Sequence, residues 1–245
     1  MKNISGQDSL PKHVAVVMDG NNRWASEKNL PGVSGHQEGV RKARELVELA
    51  VEYKLEVLTL FAFSSENWER SEEEVFLLMN LLAEAIENEV PNLIKNAVTI
   101  KFIGDLTRFD DDLRSRMKES ESRTYTKNQK LDLVVALSYG GRWDIIQAMK
   151  ELYASVSSTD EISDETFSSL LSMGKYPDPD LCIRTGGELR LSNFLLWQTA
   201  YSELYFTDTL WPDFSREDFD LALQEFSRRK RNFGKKSNFM NSEKK

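Results

Sequence analysis

Residues 13–25 read HVAVVMDGNNRWA: an almost wholly apolar run passes directly into a carboxylate, a glycine, two carboxamides and an arginine. An unbroken apolar run of this length is what a strand buried on both faces requires. The polar string after it packs poorly. It suits a small charged ligand met at the strand's carboxyl end.

The same pairing recurs outward from this stretch. Residues 57–63 (VLTLFAF) are apolar on both faces, as in a central parallel strand. Strands are also predicted at 13–18, 98–103 and 131–137, and in the runs DLCIR and ELYFT. Helical periodicity predicts helices at 38–54, 72–95, about 110–125, 143–153 and 216–231, the first with Val40, Ala43, Val47, Ala50 and Val51 on one face. Strand–helix alternation at this spacing predicts an α/β fold: a single domain with a central, mostly parallel six-stranded sheet flanked by helices. The domain is expected to span 1–245, with 1–12 and 234–245 as flexible tails. Residues 155–165, rich in Ser and Asp, read as a surface loop, and no internal repeat is found.

Open sheets of this kind bind ligands beyond the carboxyl ends of their strands. The polar strings fall there: DGNNR after the first strand, SSENWER after the second, SYGGRWD after the fourth and RTGGELRLS after the fifth. That placement argues for an enzyme. Gly20 and Asn21 could turn tightly and offer backbone N–H groups to phosphate, and Asp19 could hold a hard cation such as Mg²⁺ together with phosphate oxygens. A strand-end Asx turn is the bland alternative. Arg184 and Arg190 bracket a Thr-Gly-Gly turn with Ser192 close behind, a set suited to a diphosphate because guanidinium forks bind its oxygens bidentately. Ser71 and Glu74 have capping-box spacing, while Trp68 and Arg70 suit a loop closing over substrate. The helix at 72–95 is apolar around more than half its girth; it reads first as plain core, and in the sharper alternative as one wall of a tunnel for an apolar chain.

Composition narrows the class. The net charge of −8 argues against a general nucleic-acid binder. One cysteine, Cys182 in an apolar run, excludes an internal disulfide and reads as a buried, inert thiol; two histidines make a zinc site improbable. No apolar stretch approaches the roughly 20 residues that span a bilayer, and the N-terminus has no apolar core of a signal peptide, so a cytoplasmic protein is expected. FDDDLRSR reads as an acidic helix start and PDPD as a turn before a strand. The basic cluster at 228–231, with Lys235 and Lys236, suits either transient contact with an anionic membrane surface or a helix C-terminus.

Taken in order, HVAVVMDGNNRWA, SGHQEGV, LTLFAFSSENWER, ALSYGGRWDI and IRTGGELRLSNFLLWQTAYSELYFTDTLWPDF resemble the cis-prenyltransferases over nearly the whole chain. The resemblance implies a homodimeric, Mg²⁺-dependent transferase with an apolar tunnel. It would condense farnesyl diphosphate with successive isopentenyl diphosphates to a long cis-polyprenyl (undecaprenyl) diphosphate, precursor of a cell-wall lipid carrier. It implies that Asp19 is the catalytic metal-binding aspartate, with Glu203 a second Mg²⁺ ligand. Gly20, Asn21, Asn22, Arg23, Trp24 and His36 would surround the allylic diphosphate, His36 being placed by a turn at 35–40. Ser64, Ser65, Glu66, Trp68 and Arg70 would contact substrate, and Arg184, Arg190, Leu191 and Ser192 would hold isopentenyl diphosphate. Asn67 matches a proton-acceptor position; a carboxamide is too weak a base at neutral pH, so a positioning role is expected. Two positions depart from the pattern: Asn22 stands where glycine is usual, and Gly32 where arginine is frequent. A noncatalytic partner subunit and a different phosphate enzyme on the same kind of sheet are the rival readings.

Overall fold

The computed structural model describes residues 10–229. Strands β1 (His13–Val17), β2 (Val57–Ser64), β3 (Val98–Ile103), β4 (Leu131–Tyr139), β5 (Leu181–Arg184) and β6 (Glu203–Phe206) form one sheet in the order β3-β4-β2-β1-β5-β6. Every pairing is parallel. From β1 the chain winds to one side through β2 and later to the other through β5 and β6. The crevice beyond the end of β1 is therefore the point where the winding reverses, the place such sheets bind ligands. Helices α1 (Asn21–Glu27), α2 (Gly32–Glu52), α3 (Glu72–Lys95), α4 (Asp111–Thr124), α5 (Gly141–Ser155), α6 (Asp164–Leu170) and α7 (Arg216–Arg228) complete the domain.

Alternation along β1 divides the core into two faces. Val14 and Val16 join the larger cluster with Leu46, Leu58, Leu60, Met117 and Phe219, whereas Ala15 and Val17 join Phe61, Tyr139, Phe194 and Leu195 on the other side. In β2, Leu58 and Leu60 face the first cluster and Val57 and Phe61 the second, yet Phe63 returns to the first. A bulge between Phe61 and Phe63 inserts Ala62 as an unpaired residue and changes the phase. The carboxyl end of β2 is thereby re-aimed.

Several boundaries differ from the sequence reading, each for a local reason. The DGNNR string starts a helix, α1, and α2 starts at Gly32, six residues before the predicted 38. The turn expected at 35–40 is helix instead: a Cβ at Gly35 would lie 2.0 Å from the Asn21 carbonyl oxygen and one at Gly39 2.4 Å from Asn21 Oδ1. These glycines permit close approach of α1 rather than a turn, so His36 sits within a helix. SSENWER forms a one-turn 3₁₀ helix, Ser65–Glu69. The predicted loop at 155–165 contains a 3₁₀ turn, Thr159–Glu161, and the start of α6. Residues 10–12 are tied down: Pro11 is buried and Lys12 pairs with Glu56 at 2.9 Å. The remaining tail residues and most of the basic cluster lie outside the described residues.

Other local readings find their partners. Asp110 Oδ1 accepts the Leu113 N–H at 2.8 Å and caps α4, while Asp111 and Asp112 pair with Arg114 and Arg116. Asp180 of PDPD accepts the backbone N–H groups of Lys12 (2.8 Å) and His13 (3.2 Å). Ser71 Oγ accepts the Glu74 N–H at 3.3 Å, but the Glu74 carboxylate turns to Arg70 and Asn22, so the cap is single. The reciprocal box forms one turn earlier, between Ser64 and Asn67. Burial holds the Cys182 thiol up at about 12, which makes it inert.

Candidate active site

Two connected cavities lie at the carboxyl end of the sheet. The polar one, about 610 Å³, lies beyond β1, β2 and β5. The other, about 190 Å³, runs between α2, α3 and the face formed by β2, β3 and β4, and is mostly apolar. They share Met18, Asn21, His36, Ala62, Phe63 and Leu78. Ala62 reaches this junction because the bulge leaves it unpaired. The apolar side of α3 does two things at once: Ile86 and Leu93 belong to the larger core cluster, with Leu78, Met79 and Leu82 packed against it, and these five, with Ala85, line the apolar cavity.

Asp19 stands at the centre of the polar cleft. Its main chain is clamped three ways: Asp19 N–H donates to Thr185 Oγ1 at 3.0 Å, Thr185 Oγ1 donates back to the Asp19 carbonyl at 2.7 Å, and Trp211 N–H reaches the same carbonyl at 3.0 Å. Gly20 follows at φ +116°, where a Cβ would press on Leu210. The Asp19 carboxylate accepts from Arg23 Nη2 on Oδ1 at 3.2 Å and from Arg184 Nη2 on Oδ2 at 2.9 Å. Arg184 is buried; Nη1 donates to Ser192 Oγ at 2.6 Å and to the Arg190 carbonyl at 2.5 Å, while its Nε has no partner. Ser192 and Asn193 both hold left-handed backbone, φ +50° and +63°. Such strain persists only where the surroundings over-determine it.

A second group closes the cleft from the α3 side. Glu74 Oε1 accepts from Arg70 at 2.9 Å and from Asn22 Nδ2 at 3.0 Å, and Asn22 Oδ1 lies 3.1 Å from His36 Nε2. Desolvation, with a smaller push from the Arg70 charge, lowers the pKa of His36 to about 4, so the ring is neutral. A Cβ at position 32 would lie 3.0 Å from Asn22 Oδ1, so the two departures from the family pattern touch each other. Asn67 Oδ1 accepts the Ser64 N–H at 3.0 Å, fixing the turn that carries Glu66. Burial alone would raise the Glu66 carboxyl; hydrogen bonds led by that from Asn193 outweigh it and hold it below its usual value.

Of the residues expected from sequence, the cleft brings together Asp19, Gly20, Asn21, Asn22, Arg23, His36, Ser64, Glu66, Asn67, Arg70, Arg184 and Ser192. The others lie elsewhere. Trp24 donates to Asp213 at 2.7 Å beneath Lys28, and Trp68 packs on Phe63 and Phe109 and donates to Ser138, so neither faces the cleft. Ser65 donates to Glu66, and Leu191 packs into the second core face. Arg190 is exposed and pairs with Glu188, and only its carbonyl reaches Arg184. Glu203 is not brought to Asp19 within one chain. It opens β6 in register with Leu181 and pairs with Arg229 at 2.9 Å, whereas Asp19 follows the other end of the sheet. The separation along the strands alone exceeds roughly 10 Å.

Three residues went unrecognised in the sequence. Thr185 clamps Asp19. Asn193 donates to Glu66 at 2.9 Å and accepts the backbone N–H groups of Gly141 and Arg142. Glu74 has capping-box spacing with Ser71, and its N–H does meet Ser71 Oγ, but its carboxylate links Arg70 to Asn22. The first two adjoin Arg184 and Ser192, a proximity that offered a signal.

No group of three or more His, Cys, Asp or Glu side chains forms a metal site among the described residues. The donor set nevertheless fits one hard cation shared with a ligand. A diphosphate drawing Arg23 and Arg184 to itself would leave the Asp19 carboxylate beside a polyanion, and a divalent cation between them relieves that repulsion.

A family profile described as "Putative undecaprenyl diphosphate synthase" matches residues 17–234. A ditrans,polycis-undecaprenyl-diphosphate synthase ((2E,6E)-farnesyl-diphosphate specific) from Pseudomonas aeruginosa is 50% identical over 238 residues, covering 96% of this chain and 94% of that protein. An isoprenyl transferase of Aquifex pyrophilus is 49% identical, covering 92% of this chain and 96% of its own. Among solved structures, lavandulyl diphosphate synthase from Lavandula x intermedia, in complex with dimethylallyl diphosphate, superposes with a TM-score of 0.89 at 34% identity over 93% of this chain and 99% of that one.

Proposed function

The chain belongs to the undecaprenyl diphosphate synthase family of cis-prenyltransferases, and from that membership we propose that it condenses farnesyl diphosphate with successive isopentenyl diphosphates into a long polyprenyl diphosphate. The observation that carries this reading is the junction of an arginine-lined cleft with an apolar cavity, because the substrate has a charged head and an apolar tail. The lavandulyl neighbour has the same fold, so product length rests on the identity to the bacterial synthases and on the cavity.

In this reading the allylic diphosphate lies against Arg23, the Gly20–Asn21 turn, neutral His36 and Arg70. These donors meet negative charge as it grows on the departing group. Arg184 and Ser192 hold the isopentenyl diphosphate so that its alkene stands close to C1 of the allylic chain. Asp19 would hold Mg²⁺, which when bound neutralises diphosphate charge and eases departure of the leaving group. Asn67 positions the loop carrying Glu66; the proton lost from the isopentenyl unit passes to diphosphate or water. Two copies are proposed to work together. Ile146, Met149 and Tyr153 of α5 recur at helical spacing with 48%, 54% and 87% exposure, an apolar row suited to burial against a second chain. No helix is long and apolar enough to cross a membrane among the described residues, so contact with the product's membrane would be peripheral.

The test uses the purified chain with both diphosphates, with Mg²⁺ and with chelator, and reads products by mass spectrometry. Metal-dependent polyprenyl products of undecaprenyl length are expected. A protein that makes none, alone or with metal, overturns the assignment.

A further inference from the structure

We propose that the ion pair between Arg44 of α2 and Glu89 of α3 is a latch across the seam between these helices, and that its opening sets how long a prenyl chain the protein carries. The inference rests on the reading of the apolar cavity as the seat of the growing chain. Arg44 Nε donates to Glu89 Oε1 at 3.0 Å and to Oε2 at 2.9 Å, and Nη2 donates again to Oε1. Both residues line the apolar cavity, and no other ion pair joins α2 to α3 among the described residues. The mouth of the cavity is polar at Asn21 and His36; Arg44 and Glu89 lie roughly 12–17 Å further in, counted along α2 from His36 and along α3 from Leu78. Glu89 is 17% exposed and Arg44 46%, so the pair faces the cavity on one side and water on the other.

Two further observations give the pair a task. At about 190 Å³ the cavity is smaller than the roughly 300–1,000 Å³ pockets that take drug-sized ligands, and a long polyprenyl chain exceeds both. Growth therefore requires α2 and α3 to part. Near the latch α3 carries Pro91, which cannot donate to the Glu87 carbonyl and leaves the helix its weakest turn there. Beside it Glu87 pairs with Arg116 of α4 at 3.1 Å, tying this turn to the neighbouring helix. An ion pair set into an apolar wall opposes an advancing hydrocarbon, which cannot solvate either charge. A chain that reaches it either stops or breaks it and emerges through the seam.

The experiment compares wild type, Arg44→Leu/Glu89→Leu, Glu89→Leu alone, and the swap Arg44→Glu/Glu89→Arg in elongation with both diphosphates. It also measures binding of farnesyl and undecaprenyl monophosphates. The double apolar variant is expected to raise the ratio of long to short products, and of long- to short-chain affinity, by about two- to fivefold. Glu89→Leu alone leaves a lone guanidinium in the wall and lowers both ratios, while the swap restores wild-type values. A general loss of packing would lower all three variants alike. Wild-type ratios in the double apolar variant and in Glu89→Leu overturn the latch. Should the double variant not fold, the single variant and the swap still decide. Absence of polyprenyl product from wild type would overturn the functional reading instead, and the affinity ratios would still judge the latch.

Discussion

Thr185 and Asp19 illustrate how a backbone clamp makes a carboxylate useful. The Thr185 hydroxyl bonds both backbone polar groups of Asp19 at once, and Thr185→Val leaves the N–H with the Val17 carbonyl and the carbonyl with Trp211 N–H alone. Stability should fall by about 0.5–1.5 kcal/mol and kcat with it, read by thermal melting and steady-state kinetics. Asp19→Asn tests the carboxylate itself. Turnover should drop by about 10²–10³-fold. With the competing negative charge gone, Arg23 and Arg184 should bind inorganic diphosphate more tightly in chelator than they do in wild type. Normal turnover, or weaker diphosphate binding, would count against the charge logic of the cleft.

At the scale of elements, β2 decides where the two cavities meet. Deleting Ala62 restores simple alternation and keeps Phe63 on the larger core face, next in phase after Phe61, but removes the residue that lines both cavities. The variant should lose binding of prenyl ligands while melting close to wild type, measured by fluorescence and calorimetry; unchanged ligand binding would show that the bulge does not shape the junction. The α3 cap works more gently. Ser71→Ala should cost about 0.5–2 kcal/mol of local stability, visible as faster amide hydrogen exchange in the first turn of α3 with the sheet unaffected.

For the whole molecule, acid should act through the two histidines before it acts through carboxylates. His13 is fully buried, with Nδ1 2.7 Å from the Pro177 carbonyl and Nε2 2.8 Å from Thr59 Oγ1. Desolvation lowers its pKa from 6.5 to about 4, against the opposing pull of Pro177. Between these values the unfolded chain binds the extra proton. Stability is therefore full above about 6.5, falls as pH drops towards 4, and levels off below, by of order 3 kcal/mol for this buried ring. His36 adds a contribution of the same sign. Urea unfolding at a series of pH values should show the slope, and His13→Gln should flatten it. Assembly is tested at the same scale. Met149→Asp with Tyr153→Asp should convert a dimer to monomers in analytical ultracentrifugation if the α5 row is the proposed interface, and leave the mass unchanged if it is not.

The sequence by itself determined the strands and the chemistry at their ends. Apolar runs give strands of four to nine residues, buried in β1, β4 and β5 and half-buried in β6, and polar strings after β1, β2, β4 and β5 had to converge once the sheet was parallel. Asp19, Arg23, Arg184 and Ser192 were legible for that reason. The glycines misled, because a glycine that admits a neighbouring helix looks in sequence like one that ends its own. Tertiary structure alone decided what depends on partners distant in the chain. It turned Trp24 and Trp68 away from the cleft, placed Glu203 at the opposite end of the sheet, joined Glu74 to Asn22 and Arg70, and set Arg44 against Glu89. An apolar face carries the same pattern whether it meets side chains or an empty cavity, so only packing could show α3 as a wall.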